Sequence, residues 1–520
     1  MEMSPEEKFK EISPADFFYR NRDIAGFSNP VRALYTAVRE LVENSLDACE
    51  ARGILPDIVL FLTIEGQASS ERNVVRIKIT DNGGGIPPEH IPNAFGKILF
   101  GSKYTLIQSR GTFGLGGKMA YLYGQITTNN PLEITVGYRK KIYFFKIMID
   151  IKKNEPIVLE REEKNNSKKW NGTIVSFTLE GDYFRAFPKI LEYIKLSALV
   201  APYANITLID AYGRLIRFSR STVQMPNPPK ETLPHPHGVD VEMVKRLAEE
   251  NRKRTLISFL TRSFHRVGKE TSSRILGQLN LSPDTVVGEL GLDEIVRLTQ
   301  ALKNYDGFLP PDASILSPIG EALLKEGIKK ELEPEVLAVE SRKPQAYSGH
   351  PFIVEVGIAY GGRITPPEDG NAIIYRYANR IPLLYDEAND VSYKVVNKLM
   401  NWKRYRIDPK TDPVRIIVHI CSTKIPYKTV GKEYVADRPE IEREILNGLR
   451  NVSREISTYL SRKKSIEREK RRLDVYRKYL PLIIRFAEEA AGGRVKVREA
   501  SVKALLSRMD KYQVLHEEES

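Results

Sequence analysis

Glu40, Asn44 and Asp47 stand at i, i+4 and i+7, the spacing of one helical face. Two carboxylates and an amide so placed can hold a cation or move a proton. Asn44 is a neutral oxygen donor suited to magnesium, which keeps several waters and phosphate oxygens in its shell. Glu40, one turn earlier, can orient or deprotonate a water that attacks a terminal phosphate. Further on, Asp81 is followed by Asn82 and three glycines, Gly83 to Gly85. An acid beside such a turn can accept a hydrogen bond from an adenine amino group. The run Gly-Thr-Phe-Gly-Leu-Gly-Gly-Lys, from Gly111 to Lys118, offers backbone N–H groups to phosphate oxygens, and Lys118 adds positive charge. Each motif alone has an ordinary counterpart: a solvated polar face, an Asp-Asn-Gly turn, a glycine-rich loop. Together, in this order between Glu40 and Lys118, they describe a nucleotide pocket. No G-x-x-x-x-G-K-[ST] run occurs, so it is not a P-loop.

The elements that must hold these groups follow from periodicity. On a helix from about Val31 to Arg52, the residues Leu34, Val38, Leu41, Val42 and Ser45 share one side and suit a core. Val75, Ile77 and Ile79 alternate with Arg76, Lys78 and Thr80, a half-buried strand that delivers Asp81 at its end. The run ending at Lys118 leads into a second helix, whose N-terminus would face the phosphates.

These residues resemble the GHKL ATPase superfamily, shared by type II topoisomerases, the MutL repair ATPase, a heat-shock chaperone and sensor histidine kinases. The chain is most similar to the B subunits of archaeal type IIB topoisomerases, over nearly its whole length. The resemblance implies an α+β protein: an N-terminal GHKL (Bergerat) ATPase sandwich, a helix–two-turn–helix insertion, and an α+β transducer domain ending in a long helix. It implies ATP and Mg2+ as cofactors, Glu40 as the general base, Asn44 as the magnesium ligand and Asp81 as the adenine contact. Gly83 and Gly85 would shape the base pocket. Ser102, Lys103, Gly111, Thr112, Phe113, Gly114, Leu115, Gly116, Gly117 and Lys118 would form a phosphate-binding lid. Thr173, within Asn-Gly-Thr-Ile-Val at 171–175, would support Asp81 and the base.

Composition fits this reading. The 520 residues suit about two to four domains. A hydrophobic fraction of 41% is enough for real cores, and a net charge of +13 suits a polyanionic partner. Cys49 and Cys421 lie in no metal-ligand spacing and read as small core residues. The start is charged, and no run approaches the roughly 18 apolar residues of a membrane span, so the expectation is a soluble, cytoplasmic, nucleoid-associated protein.

Composition shifts divide the chain into an ATPase domain at 1–228, a helix–two-turn–helix domain at 229–307, a transducer domain at 308–470 and a helical extension at 471–520. Prolines 226, 228, 229, 234 and 236 read as a stiff connector after the first domain. Helical patterns follow at Val239–Arg254, Thr255–Phe264, Lys269–Leu279 and Asp293–Tyr305. Strand patterns return at Phe352–Tyr360, Ala372–Tyr385 and Val414–Ser422, with a helix expected at Val391–Trp402 and a long charged one at Asp437–Ala491.

The resemblance also implies a lysine from the transducer domain that reaches the terminal phosphate. Lys424, Lys428 and Lys432 are the candidates; Lys432 follows Gly431, whose freedom suits a loop approaching a nucleotide, while Lys428 stays open. For double-stranded DNA, two clusters present bases: Arg252, Lys253 and Arg254 in the insertion, and Trp402, Lys403 and Tyr405, where aromatics alternate with bases. Either could equally be a solvated surface, and the basic stretch at 462–472 is a third option. Neither an acidic metal-binding domain nor a persuasive tyrosine nucleophile for DNA cleavage is visible. The resemblance therefore implies a separate, DNA-cleaving A subunit in a two-plus-two heterotetramer, and self-dimerisation of this chain on ATP to act as a gate. The alternatives are another GHKL machine of mismatch-repair type and a non-catalytic DNA-binding recombination accessory.

Overall fold

The structure is a computed structural model that describes residues 11–69, 71–101, 107–111, 115–428 and 431–492, with Ser501 and Ala504. Its first element, α1 (Pro14–Arg20), is capped by the Ser13 hydroxyl. The helix α2 (Pro30–Glu50) starts where Asn29 accepts a bond from the Arg32 N–H and Pro30 presets the first turn. It is buried on nearly all sides from Ala33 to Glu43, including Arg39, Glu40 and Glu43. Of the polar face expected from the spacing, Glu40 is buried, Asp47 half-buried and Asn44 exposed.

Strands β1 (Asp57–Ser69), β2 (Arg72–Asp81), β3 (Leu132–Tyr138), β4 (Lys141–Asp150), β5 (Glu155–Asn165), β6 (Gly172–Gly181), β7 (Asn205–Ile209) and β8 (Leu215–Phe218) form one sheet in the order β5-β4-β3-β6-β2-β1-β7-β8. Only β1 and β7 run parallel. The β2 alternation holds: Val75, Ile77, Ile79 and Asp81 are buried, and Lys78 is exposed. The short α3 (Ile91–Gly96) follows β2, and helices α4 (Gly116–Thr128) and α5 (Tyr183–Val200) join α2 in packing on the sheet.

Helices α6 (Val241–Glu250), α7 (Leu256–Ser263), α8 (Lys269–Leu279) and α9 (Leu292–Asn304) enclose their own core of Val244, Phe259, Leu260, Ile275, Leu276 and Leu298. Arg252, Lys253 and Arg254 lie in the exposed link between α6 and α7 and not in the helix expected to run to Arg254.

Beyond α10 (Glu321–Leu332), strands β9 (Val336–Ser341), β10 (Gln345–Tyr347), β11 (His350–Tyr360), β12 (Ile374–Ala378), β13 (Ile381–Pro382) and β14 (Val414–Ser422) form a second sheet in the order β10-β11-β14-β12-β13, with β9 on β11. Leu324 and Ile328 of α10 and Tyr377 of β12 belong to the same hydrophobic core as α2 and α5, so the first and third sequence segments share a core. The expected strand 372–385 is instead a hairpin. Asn379 and Arg380 adopt φ of 48° and 67°, a two-residue turn between β12 and β13. The expected helix at 391–402 is broken into α11 (Val391–Lys394), one wide turn to Leu399 and a tight turn at Trp402–Tyr405.

The last element is α12 (Pro439–Ala490). Ile441, Ile445, Leu449 and Val452 repeat on one buried stripe. Two compact units result: 1–402 with 408–452, and 403–407 with 453–520. No described helix is long and apolar enough to cross a membrane.

Candidate active site

A cavity of about 690 Å³ opens between α2, the end of β2, the start of α4 and the loop at Gly431-Lys432. Its size is within the usual range for a small-molecule site. Apolar side chains, among them Ile79, Ile86, Phe95, Met119 and Val175, line one part, and the sequence motifs supply the polar groups.

Asp81 ends β2 and is 6% exposed. Its Oδ1 accepts from the Gly83 N–H at 2.9 Å and the Thr173 N–H at 3.2 Å, and Oδ2 accepts from the Ser45 hydroxyl at 3.3 Å. Thr173 thus reaches Asp81 through its backbone. Burial pushes the Asp81 carboxyl up to about 6, and the three donors offset only part of that cost. Gly85 is required by geometry: its φ is +67°, and a β-carbon there would strike the Gly137 carbonyl. Gly83 packs against Asp81 and Ala48.

Gly116 and Gly117 open α4, whose N-cap Leu115 makes no side-chain cap, so the first N–H groups of the helix are available to an anion. The Glu40 carboxylate lies over Gly116, where any β-carbon would overlap it, and the Asn44 amide packs beside Gly117. Asn44 is exposed to the cavity. Lys118 is buried, and its ammonium donates to the Phe100 carbonyl; burial lowers it to about 8. Gly111 and Leu115 also line the cavity. Ser102, Lys103, Thr112, Phe113 and Gly114 lie outside the described residues.

Of the three lysine candidates, Lys432 lines the cavity and is buried, whereas Lys424 and Lys428 are exposed and line no part of it. Lys432 Nζ donates to the Arg110 carbonyl at 2.7 Å and sits 3.8 Å from Glu43 Oε2. Its loop is tied to α2 at two more points: Arg39 Nη1 donates to the Gly431 carbonyl at 3.0 Å, and Arg32 pairs with Glu433. Sequence reasoning missed Arg39, Glu43 and Arg110. Arg39 donates to Glu40 Oε1 at 2.7 Å and so fixes the carboxylate. Burial pushes Glu43 up to about 7 against the pull of Lys432, with Glu40 adding to the rise. Arg110 pairs with Asp47 and Glu50, each at 2.7 Å, so Asp47 is engaged in an ion pair. Only Arg110 had a visible signal, as a base directly before the glycine run.

The second aromatic-basic cluster packs differently from a stacking platform. Tyr405 is buried, and the Trp402 indole N–H donates to the Val396 carbonyl at 2.8 Å. Lys403 and Arg404 are exposed. The buried Tyr405 ring is not free to stack on a base, whereas Trp402 is half-buried beside the exposed bases. Cys49 and Cys421 are buried and unbridged.

Residues 29–180 match the family of histidine kinase-, DNA gyrase B- and HSP90-like ATPases, and residues 311–472 match the topoisomerase VI B subunit transducer family. A relative from Metallosphaera sedula, the B subunit of type 2 DNA topoisomerase 6, is 46% identical over 93% of this chain and 90% of its own length. The protein of the same name from Sulfurisphaera tokodaii is 46% identical over 92% of this chain and 90% of its own. The 43K ATPase domain of Thermus thermophilus gyrase B overlaps 92% of this chain and 98% of itself at a TM-score of 0.41 and 14% identity, a distance at which the overlap carries no weight.

Proposed function

This chain belongs to the family of type 2 DNA topoisomerase 6 B subunits, and from that premise we propose that its cavity binds magnesium-ATP between the first domain and Lys432, with Glu40 activating the attacking water. The chain is the ATPase subunit of a type II topoisomerase. The observation that carries the proposal is the meeting of Glu40 and Lys432, from opposite ends of the chain, in one cavity that also holds the open N-terminus of α4.

Asp81 accepts the adenine amino group through a carboxylate already aimed by Gly83 and Thr173. Gly83 and Gly85 keep the wall of the base pocket free of side chains. Gly111 and the segment Leu115 to Lys118 cradle the phosphates with N–H groups and the Lys118 ammonium. One amide oxygen from Asn44, completed by phosphate oxygens and waters, is a donor set that fits magnesium. When bound, the ion supplies charge neutralisation at the terminal phosphate. Glu40, fixed by Arg39, takes the proton of the attacking water. Lys432 exchanges its contacts with Glu43 and the Arg110 carbonyl for the terminal phosphate, and a contact made with only one nucleotide state is what can shift a conformational equilibrium.

The pH dependence of binding follows from Asp81. Its carboxyl titrates near 6, and protonation removes the negative charge and one acceptor site that the adenine amino group uses. Affinity for a non-hydrolysable ATP analogue is expected to be highest near pH 7 and to fall as pH drops through 6. Calorimetric titration between pH 5 and 8 reads this, and Asp81→Asn should bind weakly with no such slope.

The finer biology is part of the same proposal. Ile12, Phe17, Tyr19 and Ile24 near the N-terminus are each more than 40% exposed and suit burial between two copies of this chain when ATP binds, closing a gate for double-stranded DNA. Tyr479, Leu482, Ile483 and Phe486 expose an apolar stripe on α12, which suits a partner helix face on the topoisomerase VI A subunit, the DNA-cleaving half of an A2B2 heterotetramer. Arg252, Lys253 and Arg254 are exposed bases positioned to meet phosphates. Sedimentation of the purified chain with magnesium and a non-hydrolysable ATP analogue tests the gate. A nucleotide-dependent shift from monomer to dimer is expected. Confirmed nucleotide binding with no shift would remove the gate from the proposal.

A further inference from the structure

Three consecutive residues, Gln108, Ser109 and Arg110, lead into the glycine-rich run that begins at Gly111. Each is bonded to a different part of the second matched domain, residues 311–472. The Gln108 amide makes two bonds to Ser317, accepting from its N–H at 2.7 Å and donating to its carbonyl at 2.8 Å. The Ser109 carbonyl accepts from Asn379 Nδ2 at 3.2 Å. The Arg110 carbonyl accepts from Lys432.

The middle tie comes from the β12–β13 hairpin. Its turn residues, Asn379 and Arg380, both hold positive φ without being glycine, a conformation that persists only where surrounding contacts enforce it. Those contacts are present. Asn379 bonds to Ser422 through both of its side-chain atoms. The Arg380 N–H donates to His419 Nε2 at 3.0 Å, and His419 Nδ1 is 2.7 Å from Glu355, whose oxygens accept from the N–H groups of Ile319 and Gly320. His419 and Glu355 are fully buried. The result is a rigid mount that presents the Arg380 guanidinium to the C-terminal end of α2.

There Arg380 Nη1 lies 3.3 Å from Glu50 Oε2. Glu50 also accepts from Arg110, through both guanidinium nitrogens, and from the Tyr203 hydroxyl at 2.6 Å. Burial raises the Glu50 carboxyl, but Arg110 and Arg380 outweigh it and hold the group below its ordinary value. The buried carboxylate thus joins the hairpin of the second domain to the residue that precedes the glycine run.

We propose that Arg380 is a positioning residue for ATP turnover: from a strained hairpin tip it holds Glu50 and, through that carboxylate, Arg110, and so fixes the root of the phosphate-binding run at Gly111 to the domain of the hairpin independently of Lys432. A displacement of Gly111 on binding phosphate would then reach the domain of the hairpin through residues 108–110 as well as through the lysine. The proposal rests on the nucleotide reading of the cavity, but the mechanical tie does not.

Arg380→Gly is the informative variant. Asn-Gly is the preferred sequence for this kind of turn, so the change relaxes the hairpin while deleting the guanidinium. Hydrogen–deuterium exchange on the full chain without nucleotide reads the tie. The peptide covering 107–111 should exchange at least about ten-fold faster than in the parent, with strands β2 and β6 unchanged. In steady-state assays, kcat should fall about ten-fold with KM for ATP within two-fold, and Arg380→Lys should recover part of both effects. Unchanged exchange at 107–111 would overturn the clamp. Faster exchange with an unchanged kcat would overturn the role in turnover. A parent chain that hydrolyses no ATP, alone or with its DNA-cleaving partner, would instead sink the nucleotide reading and leave the exchange result to judge the clamp. Should Arg380→Gly fail to fold, Arg380→Gln carries the same comparison.

Discussion

A Glu40→Gln chain is expected to bind ATP and fail to turn it over. The substitution keeps the size of the side chain and the acceptor oxygen that Arg39 Nη2 holds at 2.7 Å, so the fold and the pocket should survive. It removes the basicity. Loss of a positioned general base costs about 10²- to 10⁴-fold in rate. The expected outcome is a kcat lower by that factor, a nucleotide Kd within about two-fold of the parent, and intact analogue-driven dimerisation. Single-turnover hydrolysis and calorimetry on the same preparation measure both. Retained turnover would show that Glu40 is not the base. Gly116→Ala is the geometric companion. Its methyl group would occupy the space of the Glu40 carboxylate, a flexible side-chain end that can swing aside, so turnover should drop without loss of the fold.

Lys432→Ala should be the second large effect, and it should be confined to that lysine. A cation that meets the developing charge at the transferred phosphate is worth about 10²- to 10³-fold in kcat when removed. Lys428→Ala and Lys424→Ala should leave turnover unchanged, because both side chains are exposed and away from the cavity. Deleting one partner of a buried ion pair often costs about 3–5 kcal/mol. Here the penalty should be smaller, because burial already holds the Glu43 carboxyl above its ordinary value and removing Lys432 takes away the charge that opposes this, so Glu43 can take up a proton. Adding Glu43→Gln to Lys432→Ala should therefore restore stability in a thermal melt and leave kcat low. Recovery of turnover in the double variant would mean that Lys432 acts only by neutralising Glu43.

Much of the fold is legible in local signals. Asn29-Pro30 starts α2, the Val75-Ile77-Ile79 alternation writes β2, and β14 runs from Val414 to Ser422 as its apolar run indicates. The glycine-lined end of the cavity is legible because glycines and a helix start are local features. The misreadings share one cause. The run 372–385 looks like a single strand because Asn379 and Arg380 lack the glycine that usually announces a tight turn. Their positive φ is enforced by Ser422, His419 and Glu50, residues distant in sequence. Periodicity likewise could not say that Tyr405 would be covered while Trp402 stays half-buried.

Residue type and short-range spacing were enough to name the groups that meet in the cavity: Glu40, Asn44, Asp81 and the glycines ahead of Lys118. The partners of those groups came from the folded chain alone. Folding selected Lys432 over Lys428 for the cavity, assigned Asp47 to Arg110, placed Arg39 between Glu40 and Glu43, and brought the Asn379–Arg380 hairpin to Glu50. The reason is physical. Backbone propensity and periodicity act over a few residues, whereas burial of charge is settled by whichever distant group arrives to compensate it.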